Sequence, residues 1–447
     1  MLASSHSDPA IEATNVAEEL PRGRIRGALV AFEIPNFRIL WAGRATSNMA
    51  RQMRVFLRAW IVWDITGSPF LLGFVSSSLA WPMLFMPFLG GFLADKFDRR
   101  RLVKITESLL VVLWGTVAAL VYFDVIVWWH FIISSVLSGV IQSIGRPGHQ
   151  ALLGSIVDKK RLANASALDN AADTWPRVAG PALGAILIGA IGVGWLFWIT
   201  AFGQLFTAIT LFLLDWDPVE QRAKQRSKGH SSSFTAGFKY IWQEKVLLGL
   251  VGLGVSFAML GGSAMFMLPI FADALLDVGA SGLGYLMTVS TIGGSVGAVA
   301  VVAMSNFKYR GYLLMVVAVM NTVVLIAFSR SDIFLVSLFL IFGMGMAQVL
   351  FRAMRLVAMQ VLAPDDLRGR VMSFQTTIQG MSWIGVLIIG TIAEFLSRDA
   401  GFNVGGLFHL GGGISRGVAD TLLISGIAYG VISMTLFATF PALRKFR

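Results

Sequence analysis

The 447-residue chain contains no cysteine, which excludes disulfides and thiolate metal sites and leaves its redox compartment unmarked. Charge is scarce as well. Asp, Glu, Lys and Arg make up only 14% of residues against 56% hydrophobic, with a mean hydropathy of +0.72. A soluble protein of this size could not hide that much apolar surface, so the bilayer must be its main solvent. Catalytic patterns are missing too. The five histidines are scattered, and no Ser/His/Asp arrangement, metal-ligand spacing or phosphate-binding loop occurs. The expectation is therefore no enzyme, no ATP-hydrolysing pump, no cofactor and no metal. The first 30 residues do not have the basic start and apolar core of a cleavable signal: Asp8, Glu12, Glu18 and Glu19 precede Arg22, Arg24 and Arg26.

What is present is a series of apolar stretches. A helix needs about 20 residues to cross the hydrocarbon. By that measure twelve spans are expected, near 38–63, 69–93, 103–123, 127–156, 165–191, 194–214, 246–272, 281–304, 312–329, 332–361, 371–396 and 419–440. An even count puts both termini on one side. Lysine and arginine decide which: one set of loops holds Lys96, Arg99, Arg100, Arg101, Lys104, Lys159, Lys160, Arg161, Lys308, Arg310, Arg368 and Arg370, while the opposite loops offer Arg330, Arg398 and Arg416. The positive-inside rule places both termini in the cytoplasm. The net charge of +11 thus reads as topology control and not as a nucleic-acid surface.

The domain organisation expected is a cytoplasmic tail 1–37, a six-helix bundle 38–214, a cytoplasmic linker 215–245, a second six-helix bundle 246–440 and a tail 441–447. Within the linker, Phe234 to Trp242 has the pattern of a short surface helix. The halves echo each other: a glycine-rich fourth span leads to Val157-Asp158-Lys159, and a glycine-rich tenth leads to Leu362-Ala363-Pro364-Asp365, about 205 residues later.

Four arginines interrupt the first span: Arg44, Arg51, Arg54 and Arg58. At 100° per residue they fall within an arc of about 80°. A charge at such depth costs at least ~2.5 kcal/mol, so it normally faces a water-filled cavity and marks a substrate or ion path. Once the loops, tails and span-edge residues such as Arg38 and Lys104 are set aside, eight arginines and no lysine remain within the spans, the others being Arg146, Arg177, Arg352 and Arg355. The acids are few: Glu107, Asp169, Asp173 and Glu394. Arginine presents a fixed fork of donors suited to carboxylate or phosphate and keeps its charge when buried. Arg51, Arg54, Arg58, Arg146, Arg352 and Arg355 are the candidate substrate-binding residues. Ion pairing of Arg146 or Arg355 with Asp169, Asp173 or Glu394, and snorkelling of Arg44 to the interface, are the structural alternatives.

The sharpest motif is Gly90-Gly91-Phe92-Leu93-Ala94-Asp95-Lys96-Phe97-Asp98-Arg99-Arg100-Arg101, between spans two and three. Here the chain resembles the major facilitator superfamily, whose loop at this point carries the same signature. Asp98 stands where many members have glycine. The resemblance implies a cytoplasmic latch of Gly91, Asp95, Arg99 and Arg100. The matching second-half loop, Ser305 to Arg310, is degenerate. Phe37-Arg38-x-Leu40-Trp41, Thr66-Gly67-Ser68-Pro69, Arg177 to Gly184, Pro269-x-Phe271-Ala272-Asp273 and Arg368-Gly369-Arg370-Val371 are similar to the efflux branch that includes the enterobactin exporter and macrolide efflux pumps.

That resemblance spans residues 32–440 and implies an all-α integral membrane fold of two pseudo-symmetric six-helix bundles. Spans one, four, seven and ten would line a central path. Gly180 and Pro181 in span five make a bend or a close helix crossing; in exporters of the superfamily a similar element is associated with export direction. The function expected is secondary active export of a small, anionic organic molecule, siderophore-like or a carboxylate metabolite, from the bacterial cytoplasm. Proton antiport would need a titrating group, and Asp173 and Glu107 are the candidates. A multidrug or macrolide pump, a lysophospholipid-type flippase and a non-transporting receptor or scaffold are the rival readings. The expected partners are the small-molecule substrate, the bilayer and protons, with the chain working as a monomer and binding no nucleic acid.

Overall fold

The computed structural model describes residues 30–78, 81–82, 99–158, 161–214, 240–304, 310–364, 368–398, 402–404, 408–410 and 412–445. After a short 3₁₀ turn at Val30–Glu33, α1 runs from Pro35 to Thr66. Pro35 sits in its first turn, and Gly67 ends it in the left-handed region (φ 57°), its N–H returning to the Trp63 carbonyl. Ser68 then caps α2 (Pro69–Ser77) by accepting from the Leu71 amide, with Pro69 opening the helix. The Thr-Gly-Ser-Pro run is thus a helix stop and a helix start back to back.

The chain continues through α3 (Arg99–Tyr122) and α4 (Trp128–Ile156) to a 52-residue helical element, Leu162–Leu213. Gly192 (φ 77°, ψ 166°) breaks that element into two helices, α5 (162–191) and α6 (193–213). In the second half, α7 (Lys245–Leu275) is followed by α8 (Gly279–Ala303), α9 (Arg310–Ser329), α10 (Phe334–Leu362) and α11 (Arg368–Leu396). A two-stranded antiparallel hairpin, Phe402–Val404 with Phe408–Leu410, precedes α12 (Ile414–Thr439). The α12 helix thus begins at Ile414, ahead of the span expected at 419–440.

Eight described helices are long and apolar enough to cross a membrane, and the Gly192 break makes two of one of them. The remaining crossings are α1, loaded with arginine, α2, described only in its first turns, and α4, diluted by serine, glycine and histidine. The described helices therefore fall at the twelve places that hydropathy predicts. One of them is irregular. Within α7, wide π turns at Phe257–Gly261 and Phe271–Leu275 flank a tight 3₁₀ turn at Ser263–Met267; such segments interrupt the regular ladder of a helix and recur at functional positions.

Gly91 and Asp95 of the expected latch, and most of the expected surface helix at 234–242, lie outside the described residues. Arg99 and Arg100 form the first turn of α3.

The halves are joined at the end of the molecule opposite the chain termini, here called the distal end. Trp63 Nε1 donates to Asp273 at 2.9 Å, bringing α1 against α7. Glu394 of α11 accepts from Ser68 Oγ at 2.8 Å and from the Phe70 amide at 3.3 Å, so its carboxylate sits on the N-terminus of α2. Gly73 and Gly390 allow α2 and α11 to touch backbone to backbone. One apolar cluster containing Phe56, Leu72, Phe131, Phe271 and Phe328 spans this seam, and a second containing Leu250, Phe257, Phe351 and Tyr429 fills the second half.

Candidate functional site

A cavity of about 370 Å³ is lined by Arg44, Arg51, Arg54 and Arg58 together. The stripe expected from helical spacing therefore faces one space. The rest of the lining comes from α3 (Glu107, Leu110, Trp114), α4 (Phe131, Ser138, Gln142), α5 (Asp173), α6 (Phe197, Gln204, Thr207) and a single side chain of the second half, Trp383 of α11. The cavity thus lies largely inside the first half and reaches the seam at Trp383.

The four arginines fan out to different neighbours. Arg44 and Arg51 turn toward α5, which runs parallel to α1. Arg44 Nε lies 2.6 Å from Asp169, and Arg51 Nη2 is 3.0 Å from one oxygen of Asp173. The other oxygen of Asp173 accepts from Arg177 at 2.6 Å, so this carboxylate joins two guanidinium groups. Trp41 Nε1 donating to the Leu168 carbonyl and Asn48 donating to the Ala172 carbonyl extend the same interface. Arg54 and Arg58 turn the other way. Arg54, 5% exposed, donates to the Thr200 carbonyl at 3.0 Å and to Gln204 Oε1 at 3.3 Å. Its guanidinium stands 4.4 Å from the centre of the Trp114 ring, a cation–π contact. Gln204 in turn donates to Glu107 at 2.5 Å. One neutral amide therefore connects Arg54 to Glu107. Arg58 donates to Ser135 Oγ at 2.7 Å.

Helix contact on this scale needs small residues. A Cβ on Gly180 would lie 2.7 Å from Gln52, and one on Gly184 2.8 Å from the Phe56 ring. Gly180-Pro181 thus marks a close crossing of α5 on α1, while the break in that element falls at Gly192. The Pro181 carbonyl also lies against Gly284 of α8, across the seam.

The second-half arginines are not part of this lining. Arg355 is buried at 2% exposure and donates to Gln375 at 2.7 Å, with Gly254 of α7 packed against its guanidinium. Arg352, on the next face of α10, is exposed. Arg146 lies on α4 beside the lining residue Gly145, its side chain outside the description. Of the six arginines proposed from sequence, Arg51, Arg54 and Arg58 share this lining, and Arg352 and Arg355 are not in it. Both proposed titrating acids, Asp173 and Glu107, line the cavity.

Sequence reasoning passed over Gln204, Trp114, Ser135 and Trp383. A glutamine in an apolar sixth span was a usable signal, since an amide at that depth needs partners. The tryptophans and Ser135 carried none.

The helix order, the paired bundles and an arginine-walled cavity inside the membrane define a multi-pass transporter of the major facilitator type. The chain belongs to the transmembrane secretion effector family, whose model matches residues 26–415. It is 24% identical over 375 residues to the multidrug efflux pump Tap of Mycobacterium tuberculosis, covering 77% of this chain and 83% of that one. It is 23% identical over 355 residues to the staphyloferrin A transporter of Staphylococcus aureus, covering 78% and 87%. Among solved structures the nucleoside transporter NupG superposes with a TM-score of 0.66 at 14% identity, covering 91% of this chain and 98% of that one, a likeness of fold. Membership in this family makes the chain an efflux-type membrane transporter and not an enzyme.

Proposed function

We propose that the protein exports a small organic anion, siderophore-like or a carboxylate metabolite, by alternating access. The observation that carries this reading is the cavity wall: four arginines against two acids, Glu107 and Asp173. Both acids are engaged with arginines, Asp173 directly and Glu107 through Gln204, so the wall keeps an excess of positive charge. Lipophilic cations would be repelled from it. The staphyloferrin A transporter among the relatives supports a siderophore-like cargo. The apolar side of the cavity, with Trp114, Phe131, Phe197 and Trp383, suits an anion carrying an apolar or ring portion.

The joined distal end suits an inward-facing state, with the termini and the basic loops in the cytoplasm of a bacterial cell as the positive-inside rule orients them. The bundles 38–214 and 246–440 move against each other as rigid bodies within a monomer, and the latch around Gly91, Asp95, Arg99 and Arg100 would hold the cytoplasmic end in the opposite state. Arg146, Arg352 and Arg355 would join the substrate path in that state. Asp173 and Glu107 are the groups through which protons act on transport.

The test compares metabolites retained by a deletion strain with those retained by a strain carrying Arg51→Ala. Retention of the same organic anions in both supports the reading. Retention of cationic drugs alone overturns it in favour of a multidrug pump.

A further inference from the structure

A second cavity, of about 550 Å³, lies where the two halves meet near the distal end. Its wall is drawn from both: Trp60 of α1, Ile188 and Gly189 of α5 and Val193 of α6 from the first half, Ala280 and Tyr285 of α8 from the second. Trp60 comes six residues before the end of α1, Gly189 three before the break at Gly192, and Ala280 is the second residue of α8. At 1.5 Å per residue the space sits within roughly 10 Å of the distal helix ends, at the depth of one leaflet's acyl chains. A Cβ on Gly284 would run into Ala185, whereas one on Gly189 would meet nothing within 4 Å. The α5 and α8 helices thus touch at Gly284 and part distal to it, which leaves the space.

The inner wall is continuous with the apolar cluster that spans the seam, against which Trp60, Ile188 and Val193 pack. The mouth faces outward, since Ile186 and Tyr285 of the lining are 62% and 54% exposed. Along α8, Tyr285 continues at helical spacing into the exposed Ile292, Val296 and Val299, a stripe that a membrane helix turns to hydrocarbon. The described lining is uncharged. Its Ser281 hydroxyl lies 3.4 Å from the Val278 carbonyl of its own chain. Few polar groups are left to hold a water, which needs roughly two to four partners.

We propose that this cavity seats one acyl tail of a phospholipid from the distal leaflet, and that the seated tail favours the state in which the distal end is joined. Hydrocarbon is the solvent at the mouth, and an uncharged, apolar space accepts a tail where it gives a hydrated or ionic cargo nothing to bind. A ligand shifts an equilibrium only by binding one state better than the other. The seat has walls from both halves, so separating α8 from α5 at the distal end divides it and returns the tail to the bilayer. None of its lining residues belongs to the arginine cavity, and the inference holds whatever the charge of the exported cargo.

The test places the full-length protein in nanodiscs that contain a phosphatidylglycerol with a photoreactive diazirine at mid-chain. Cross-links mapped by mass spectrometry are expected on 185–193 and 280–285 at several-fold the level on the lipid-facing stripe 292–299. They should fall to that level in Gly189→Phe, whose ring enters the open space, and in Ala280→Phe. Val299→Phe, on the same lipid-facing stripe and outside the cavity, should leave them unchanged. Cross-links spread evenly over the lipid-facing helices of the native protein mean annular lipid alone and overturn the seat, whether or not the variants fold. In detergent, spin labels on Ile65→Cys and Ile333→Cys should report a several-fold gain of the joined state over the open one when phosphatidylglycerol is added. The same addition to a labelled Gly189→Phe protein should change nothing. A distance distribution that lipid leaves unaltered without Gly189→Phe, or alters equally with it, overturns the preference for the joined state.

Discussion

At the scale of the residue, Arg51 and Arg54 share a stripe and differ in what their loss does. Arg51 is 38% exposed along its side chain and pairs with an acid that keeps a second partner, Arg177. Half-exposed pairs contribute about 0–1 kcal/mol, so Arg51→Ala should keep the melting temperature within a few degrees while anion retention by cells rises. Arg54 is buried against Trp114, the Thr200 carbonyl and Gln204, with Glu107 beyond it. Removing one partner from a buried charge network costs about 3–5 kcal/mol. Arg54→Met should therefore lower both thermal stability and export, and stability should recover in part when Glu107→Gln is added. The stripe itself was legible from spacing. Which member would be half-exposed and which enclosed was not, because that depends on what α5 and α6 present to each flank of α1.

At the scale of the element, the helix crossings are made by glycine, and their positions determine which motions are open to the fold. A Cβ on Gly390 would lie 2.9 Å from the Pro69 carbonyl and 3.3 Å from the Gly73 Cα. Gly390→Leu must therefore push α11 off α2 and favour the state in which the distal end is open. Since the chain has no cysteine, one introduced at the buried Ser76 of α2 reports this cleanly. Thiol labelling of Ser76→Cys should quicken several-fold when Gly390→Leu is added, and an unchanged rate would show that the seam tolerates the bulk. Within the second half, a Cβ on Gly293 would collide with the Phe342 carbonyl. Gly293→Ala should destabilise that bundle by about 1–3 kcal/mol through overpacking, read as a lowered unfolding midpoint. Gly73 and Gly390 read from sequence only as small residues in apolar helices. The π turns of α7 left no sign at all, since Phe257–Gly261 is as apolar as the helix around it.

At the scale of the whole molecule, the distal seam is held by two acids, each in the second half and each accepting from the first: Asp273 from Trp63, and Glu394 from Ser68 and the Phe70 amide. Hydrogen bonds to a charged group contribute about 1.5–3 kcal/mol each, so weakening both should move the balance of states by roughly tenfold or more. The double variant Asp273→Asn, Glu394→Gln should lengthen the distance between spin labels at positions 65 and 333, both exposed and on opposite halves at this end. An unchanged distance distribution would mean that apolar packing around Phe56, Leu72 and Phe271 closes the seam unaided.

The sequence by itself determined that this chain lives in a bilayer, where its helices lie, and that its membrane interior carries an excess of positive charge. Those are sums over local transfer costs: each apolar residue gains and each arginine loses on entering hydrocarbon, whatever its neighbours. Tertiary structure alone decided that Arg51, Arg54 and Arg58 share one cavity while Arg355 turns to Gln375, that Asp173 joins Arg51 to Arg177, and that Gln204 links Arg54 to Glu107. A partner depends on the rotation and crossing of helices more than a hundred residues apart, and a few ångströms of that geometry decide whether an arginine faces an acid, an amide or open space.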